Sequence, residues 1–301
     1  MSDAGNNADS NADQLPLVDV PRRLYPVSAS KINSWLDCPR AFWFRYVQKV
    51  RVDGRWAHLS MGNSIHAALK DWWELPREDR TPQRGAELVG KTWQVEGFKD
   101  AAQSEHWRSI AAEMVSDYLH DVDPDCEPLS CERSLGARTT EITINTRIDR
   151  IDLVDSTDGT EECVIVDYKT GKSVPSTDDV RGSLALAFYA TAVQQSLRKP
   201  CVEVALHHIP SGTVVSWRHD QAALDRHLRR AEQIADEMRS AEDSWSGRDV
   251  SVSADELRDE IFPARPGALC GYCDFREQCE AGQARAERRD PWAGLPSTMD
   301  S

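Results

Sequence analysis

Apolar residues change their spacing twice along this chain. In "MGNSIHAALKDWWELP" (Met61 to Pro76), Ile65, Leu69 and Trp72 recur at helical intervals. Two further helical stretches follow, Arg84 to Gly97 and Ala101 to Val122. Upstream, "SASKINSWLDCPRAFWFRYV" (Ser28 to Val47) opens on N-cap residues, and Pro39 marks a break or a second helix start. The period then shortens. "SCERSLGA", "TTEITINTRIDRIDLVD" and "EECVIVDYKT" read as three strands, the last two joined as a hairpin by the turn Ser156 to Thr160. Ser183 to Leu197 returns to helix, "CVEVALHHIP" and "TVVSWRH" form a hairpin about Ser211-Gly212, and Gln221 to Ala241 is a charged amphipathic helix. The pattern predicts an α/β or α+β core, a sheet flanked by helices, with a helical addition before it.

With 301 residues and 40% apolar content, the chain can bury one large core. It divides into an acidic tail (1–20), one folded domain (21–283) and a second tail (284–301) that has little with which to pack. Within the domain, 28–122 is helical, 128–241 is the core, and a cysteine-rich segment (262–281) closes it. No apolar run is long enough to span a bilayer. The start, "MSDAGNNADSNADQ", lacks the apolar core of a signal peptide. A cytoplasmic location is expected, where the eight cysteines stay reduced unless they bind metal.

The net charge of −14 excludes a protein that coats nucleic acid non-specifically. The charge is polarised, however. Pro21 to Arg55 carries eight basic residues against Asp37 and Asp53, a local +6. Trp35, Trp43, Phe44 and Tyr46 lie among them, either as faces for stacking unpaired bases or as helix core. The adjacent pair Trp72 and Trp73 is ambiguous in the same way, since neighbouring helix positions are not expected to be fully buried together.

The candidate chemistry lies at the end of the strand "CVIVDYK". Asp167 and Lys169, two apart, emerge on the same face, and a hairpin brings Asp149 of "TRIDRID" alongside Asp167. Two facing carboxylates repel unless a cation lies between them. Hard oxygen ligands suit Mg²⁺ or Mn²⁺, and the Tyr168 carbonyl adds another oxygen. Lys169 would then orient water or steady a phosphate. These are the parts of metal-assisted phosphodiester hydrolysis. Alone, an Asp–Lys pair at a strand end more often only solvates it. His66, four residues after Gly62 on a helix, is either a further ligand or a structural histidine. Cys270, Cys273 and Cys279 form C-x2-C-x5-C and need a fourth thiolate. Cys38 is the best candidate, with Cys126, Cys131, Cys163 and Cys201 open, and the spacing does not choose zinc or iron–sulfur.

In this order the motifs "SASKINSWLDCPRAFWFRYV", "GNSIH", "TRIDRID", "VDYKTGK" and "CGYCDFREQC" resemble the RecB-like exonuclease branch of the PD-(D/E)XK nucleases, including CRISPR-associated RecB-like nucleases. The resemblance implies a mixed sheet flanked by helices and an active-site set of His66, Asp149, Asp167 and Lys169. It also implies a [4Fe–4S] cluster on Cys38, Cys270, Cys273 and Cys279. Glu132 matches an acid often found on the preceding strand. In the helix motif Q-x-x-x-Y, Tyr189 matches but Ala185 replaces the glutamine, and Thr146 replaces the glycine usual before the first aspartate. The expectation is a DNA exonuclease acting on single-stranded or free-ended DNA in repair, recombination or defence. Any helicase or repair partner must be another chain, since GxxxxGK[ST] is absent. The rival readings are a nuclease-like module that binds nucleic acid without cutting it, and a structural zinc protein.

Overall fold

The computed structural model describes residues 23–52, 54–155, 159–249 and 251–295. Its strands are β1 (Tyr25–Val27), β2 (Ser130–Arg138), β3 (Ile142–Asp155), β4 (Glu161–Lys169), β5 (Cys201–His208) and β6 (Thr213–Arg218). Its helices are α1 (Ala29–Asp37), α2 (Pro39–Phe42), α3 (Ala57–Trp73), α4 (Pro82–Thr92), α5 (Ala101–His120), α6 (Thr177–Gly182), α7 (Leu184–Leu197), α8 (Gln221–Ser246), α9 (Ala254–Ile261) and α10 (Glu280–Arg285). The starts follow local chemistry: Ser28, Thr81, Asp100 and Asp220 each accept a backbone N–H three residues on, capping α1, α4, α5 and α8. Pro39 opens α2, and the backbone widens into a π-turn over Trp43–Val47.

The strands form one mixed sheet in the order β1-β3-β4-β5-β6, with β2 also paired to β3. β3 is the hub. β2 runs antiparallel to it along Thr143 to Ile151, so β1 and β4 must share its other edge. β1 pairs in parallel only at Ile142 to Ile144, and β4 pairs antiparallel only from Arg150 onward. Between these ends, residues 145–149 have no strand neighbour on that edge among the described residues. This opening, bounded by Asp149, positions the candidate site.

Helices cover both faces. α3, α4 and α5 pack over Val166 and Tyr168, while α7 packs over Ile148, Ile151, Ile165 and Val204. A third cluster gathers α1, α2, α8, Phe262 and Phe275 beside β1. Under α3, the buried Arg150 reaches the Tyr168 hydroxyl at 3.2 Å and Asp152 at 2.8 Å, and Trp73 donates to the same hydroxyl at 3.2 Å. Tyr118 and His207 share a 2.8 Å hydrogen bond beside them. Each nitrogen of this buried guanidinium thus has an acceptor, which offsets part of its desolvation.

Several expectations are corrected. β1 is a strand that three residues are too few to announce by periodicity. α4 stops at Thr92, not Gly97: Gly97 has φ +86°, and a Cβ there would lie 2.2 Å from the Arg55 carbonyl. Trp72 and Trp73 are both buried, because α3 has neighbours on two sides. Trp35, Trp43 and Phe44 are core residues, stacked edge-on or face-on against Phe42, Trp245 and Phe275, and offer no free faces. The basic charges near the start are partly spent in ion pairs: Lys31 with Glu242, Arg40 with Asp259, Arg45 with Asp274. Residues 286–295 are not a loose tail. Arg289 N–H donates to Gly271, Ala57 N–H to Pro291, and Leu295 is buried. The acidic segment 1–20 and most of the turn Ser156 to Thr160 lie outside the described residues.

Burial, then the charge of Arg150, pushes the His207 imidazole down to about 3. The folded protein therefore refuses a proton that the unfolded chain accepts near 6.5. This contribution to stability is intact above pH 6.5 and falls by roughly 1.4 kcal/mol per unit as pH drops toward 3. In denaturant titrations at pH 6.5 and 4.5, His207→Gln should lose less stability than wild type. An equal loss contradicts the assignment.

Candidate active site

Asp149 ends the open stretch of β3. Continuing the β3–β4 register places it across from Asp167, but its carboxylate instead accepts the Tyr168 N–H at 2.8 Å. In an extended strand a residue's N–H and C=O face the same edge, so the Tyr168 carbonyl faces this opening too. The side-chain alternation of β3 also breaks here. Ile148 and Ile151 share the α7 core although they are three apart, while Arg150 points to the α3 side. On β2 the ladder passes over Glu132, whose φ is +48°. A non-glycine residue in this region is strained by about 1–3 kcal/mol, and the strain falls where Glu132 and Asp149 meet.

His66 approaches from α3. Its Nδ1 lies 3.3 Å from Asp149 Oδ1 and 3.8 Å from Glu132 Oε1. Ligand atoms of His66, Glu132 and Asp149 lie within 4.8 Å of one another. Gly62, one turn earlier, lets α3 close on the end of β4: a Cβ there would stand 2.9 Å from Thr170 Oγ1. Arg147 balances the far oxygen of Glu132.

Asp167 is buried behind Asp149. The Lys169 ammonium contacts its Oδ2, which makes no hydrogen bond of ordinary geometry. Burial raises the Asp167 carboxyl, Lys169 opposes that, and Asp149 adds to it. Burial alone would lower His66, but Asp149 and Glu132 outweigh it and push the imidazole up to about 10. Tyr189 on α7 is raised by burial and by the nearby charges of Asp167 and Asp149. The centre is thus an anionic cluster held by the cations His66, Lys169 and Arg147, at the wall of a cleft of about 760 Å³. A divalent cation fits this donor set of carboxylates, one imidazole and a backbone carbonyl.

The structure therefore gathers His66, Glu132, Asp149, Asp167, Tyr168, Lys169 and Tyr189, with His66, Glu132 and Asp149 as its tightest group. Sequence reasoning missed Arg147. The alternation in "NTRID" carried a weak signal for it.

Cys38, Cys270, Cys273 and Cys279 line a separate cavity of about 500 Å³. Arg265 N–H points at Cys38 Sγ at 3.5 Å, and Gly267 N–H at Cys270 Sγ at 3.4 Å. Of the other cysteines, Cys126 and Cys131 pack against the α3–α5 core, while Cys163 and Cys201 face each other within the sheet. Among the described residues, no three of the four sulfurs fall within 4.8 Å of one another.

The PD-(D/E)XK nuclease superfamily matches residues 26–280 of the chain. No curated protein matches it. Among solved structures, the chain is similar to the crystal structure of a "Putative exonuclease" from Eubacterium rectale. That likeness has a TM-score of 0.44 and 12% identity over 91% of each chain, too distant to carry functional weight. Among the described residues, no helix is long and apolar enough to cross a membrane.

Glu132→Gly should relieve the left-handed backbone while removing a carboxylate. Without metal its melting temperature should equal or exceed that of wild type, whereas the upward shift produced by Mn²⁺ should shrink. An undiminished Mn²⁺ shift contradicts a role for Glu132 at the cation site.

Proposed function

This chain belongs to the PD-(D/E)XK nuclease superfamily, and on that premise we propose that it is a Mg²⁺- or Mn²⁺-dependent DNA exonuclease of the RecB-like branch, acting on single-stranded or free-ended DNA. The observation that carries the reading is the cluster of Asp149, Asp167 and Glu132, with His66 and Lys169 as its counter-charges. Buried like charges are costly, and cleavage of a polyanion gives them a use.

Asp149, Asp167, His66 and the Tyr168 carbonyl would hold the cation. Bound there, it supplies Lewis acidity to the phosphoryl oxygen and to a water. Lys169, half exposed beside Asp167, orients that water and steadies charge on the phosphate. Tyr189, close enough for the charges of Asp167 and Asp149 to raise its hydroxyl, would help position the Asp167 carboxylate. Ala185 leaves this pairing without the family's glutamine. That absence is the one feature favouring a module that binds without cutting.

The four cysteines are the proposed ligands of a [4Fe–4S] cluster, supported by their shared cavity and the N–H groups aimed at two of them. The cluster's role here is structural. Asp274, beside Cys273, accepts from Trp56 Nε1 at 3.0 Å, at the start of the helix that carries His66.

Cleavage of end-labelled single-stranded DNA should require Mg²⁺ or Mn²⁺ and stop on chelation. Lys169→Ala should lower it by roughly a hundredfold or more. Wild-type rates in that variant would refute the site. Purified without oxygen, the protein should absorb in the visible, and Cys270→Ser should lose both this absorbance and thermal stability. Full absorbance in Cys270→Ser, or a colourless wild type containing zinc, contradicts the cluster.

A further inference from the structure

Four residues leave β4 as "KTGK". Lys169 lines the catalytic cleft, Lys172 lines a neighbouring groove of about 640 Å³, and Thr170 and Gly171 line both. The Gly171 carbonyl is fixed by the buried His208, whose Nε2 lies 2.7 Å away. Three residues span at most about 10 Å, so Lys172 stands one or two nucleotides from the scissile position. The groove differs in character from the cleft. Its walls include Trp56, Trp107 and Tyr272, and its rim includes Leu59 and Leu269. Leu59, Leu269 and Tyr272 are 51%, 67% and 40% exposed, an unusual grouping of apolar surface beside a charged site. Trp56 and Tyr272 stand 5.5 Å apart, and Arg289 lies 5.9 Å over the Tyr272 ring. The one acid in the lining, Asp274, is held by Arg45 at 2.6 Å and by Trp56.

We infer that this groove is a nucleobase subsite: it receives unpaired bases flanking the phosphate held at Asp149 and Lys169, with Tyr272 as the stacking face and Lys172 on the backbone between. The assignment rests on the nuclease reading above and adds the residues that select an unpaired strand. An aromatic wall continuous with a phosphate site fits a base whose faces are free, and a duplex hides those faces. A docked protein helix would also cover apolar rim residues, but it gives no reason for the shared loop of lysines.

The test is a fluorescence-anisotropy titration of the full-length, metal-loaded protein with a labelled oligo(dT) strand and with a matched duplex. Ca²⁺ replaces Mg²⁺ so that binding is read without cleavage. Tyr272→Ala should weaken single-strand binding about tenfold or more, and Tyr272→Phe should restore it. Leu269→Glu, at an exposed position where misfolding is not expected, should also weaken it. Duplex binding should change little in all three. Single-strand affinities equal to wild type in Tyr272→Ala and Leu269→Glu, or equal losses on strand and duplex, overturn the subsite. Hydrolysis of bis(p-nitrophenyl) phosphate by the wild type, which needs no base, tests the catalytic reading separately. Its failure removes the cutting but not a groove that binds.

Discussion

The structure turns on the meeting of carboxylates where β3 parts from β4. Had the sheet kept pairing, Asp149 and Asp167 would stand directly across from each other with both side chains on one face. Here the ladder ends one residue early, and the Asp149 carboxylate takes the Tyr168 N–H that the next pair would have used. Glu132 is held in a strained backbone to join them. His66, Lys169 and Arg147 supply the positive charge that makes the cluster tolerable. Each of these choices costs stability, and a cation bound in the opening repays them together.

The rest of the fold serves to keep that opening in shape. α3 carries His66 and is fixed at its start from two directions: Trp56 reaches Asp274 beside the cysteine segment, and the Ala57 N–H donates to Pro291. The segment around Pro291 is in turn tied to Gly271 through Arg289. The cysteines thus lie far from the acids in sequence yet brace the helix that completes them. Behind the cleft, the network of Arg150, Asp152, Tyr168 and Trp73 pins the end of β4 from below.

Much of this was legible in the sequence where local chemistry dominates. The run Val164–Ile165–Val166 announces a buried strand, and Asp167 and Lys169 follow from its pleat. The cap at Ser28 sets the first helix start. What escaped depends on tertiary contacts. β1 is three residues long and exists only because β3 offers it an edge. Trp73 is buried by Tyr168 and Arg150, which are remote from it in sequence. Period-two reasoning predicts a smooth β3 and misses the break at Asp149, so the place of Glu132 rested on resemblance alone. The aromatic residues near the basic start looked like faces for bases, yet they fill the core. The exposed ring is that of Tyr272, beside the half-buried Trp56, and no pattern in the sequence joins those two.

The central claim is that this carboxylate cluster binds a divalent ion. Crystals soaked in Mn²⁺ and measured at the manganese absorption edge test it most directly. An anomalous peak should lie between the side chains of Asp149 and Asp167, within about 2.0–2.4 Å of their oxygens, with His66 or the Tyr168 carbonyl completing the shell. A fully soaked crystal with no peak there, its carboxylates still gripped by His66 and Lys169, would contradict the account.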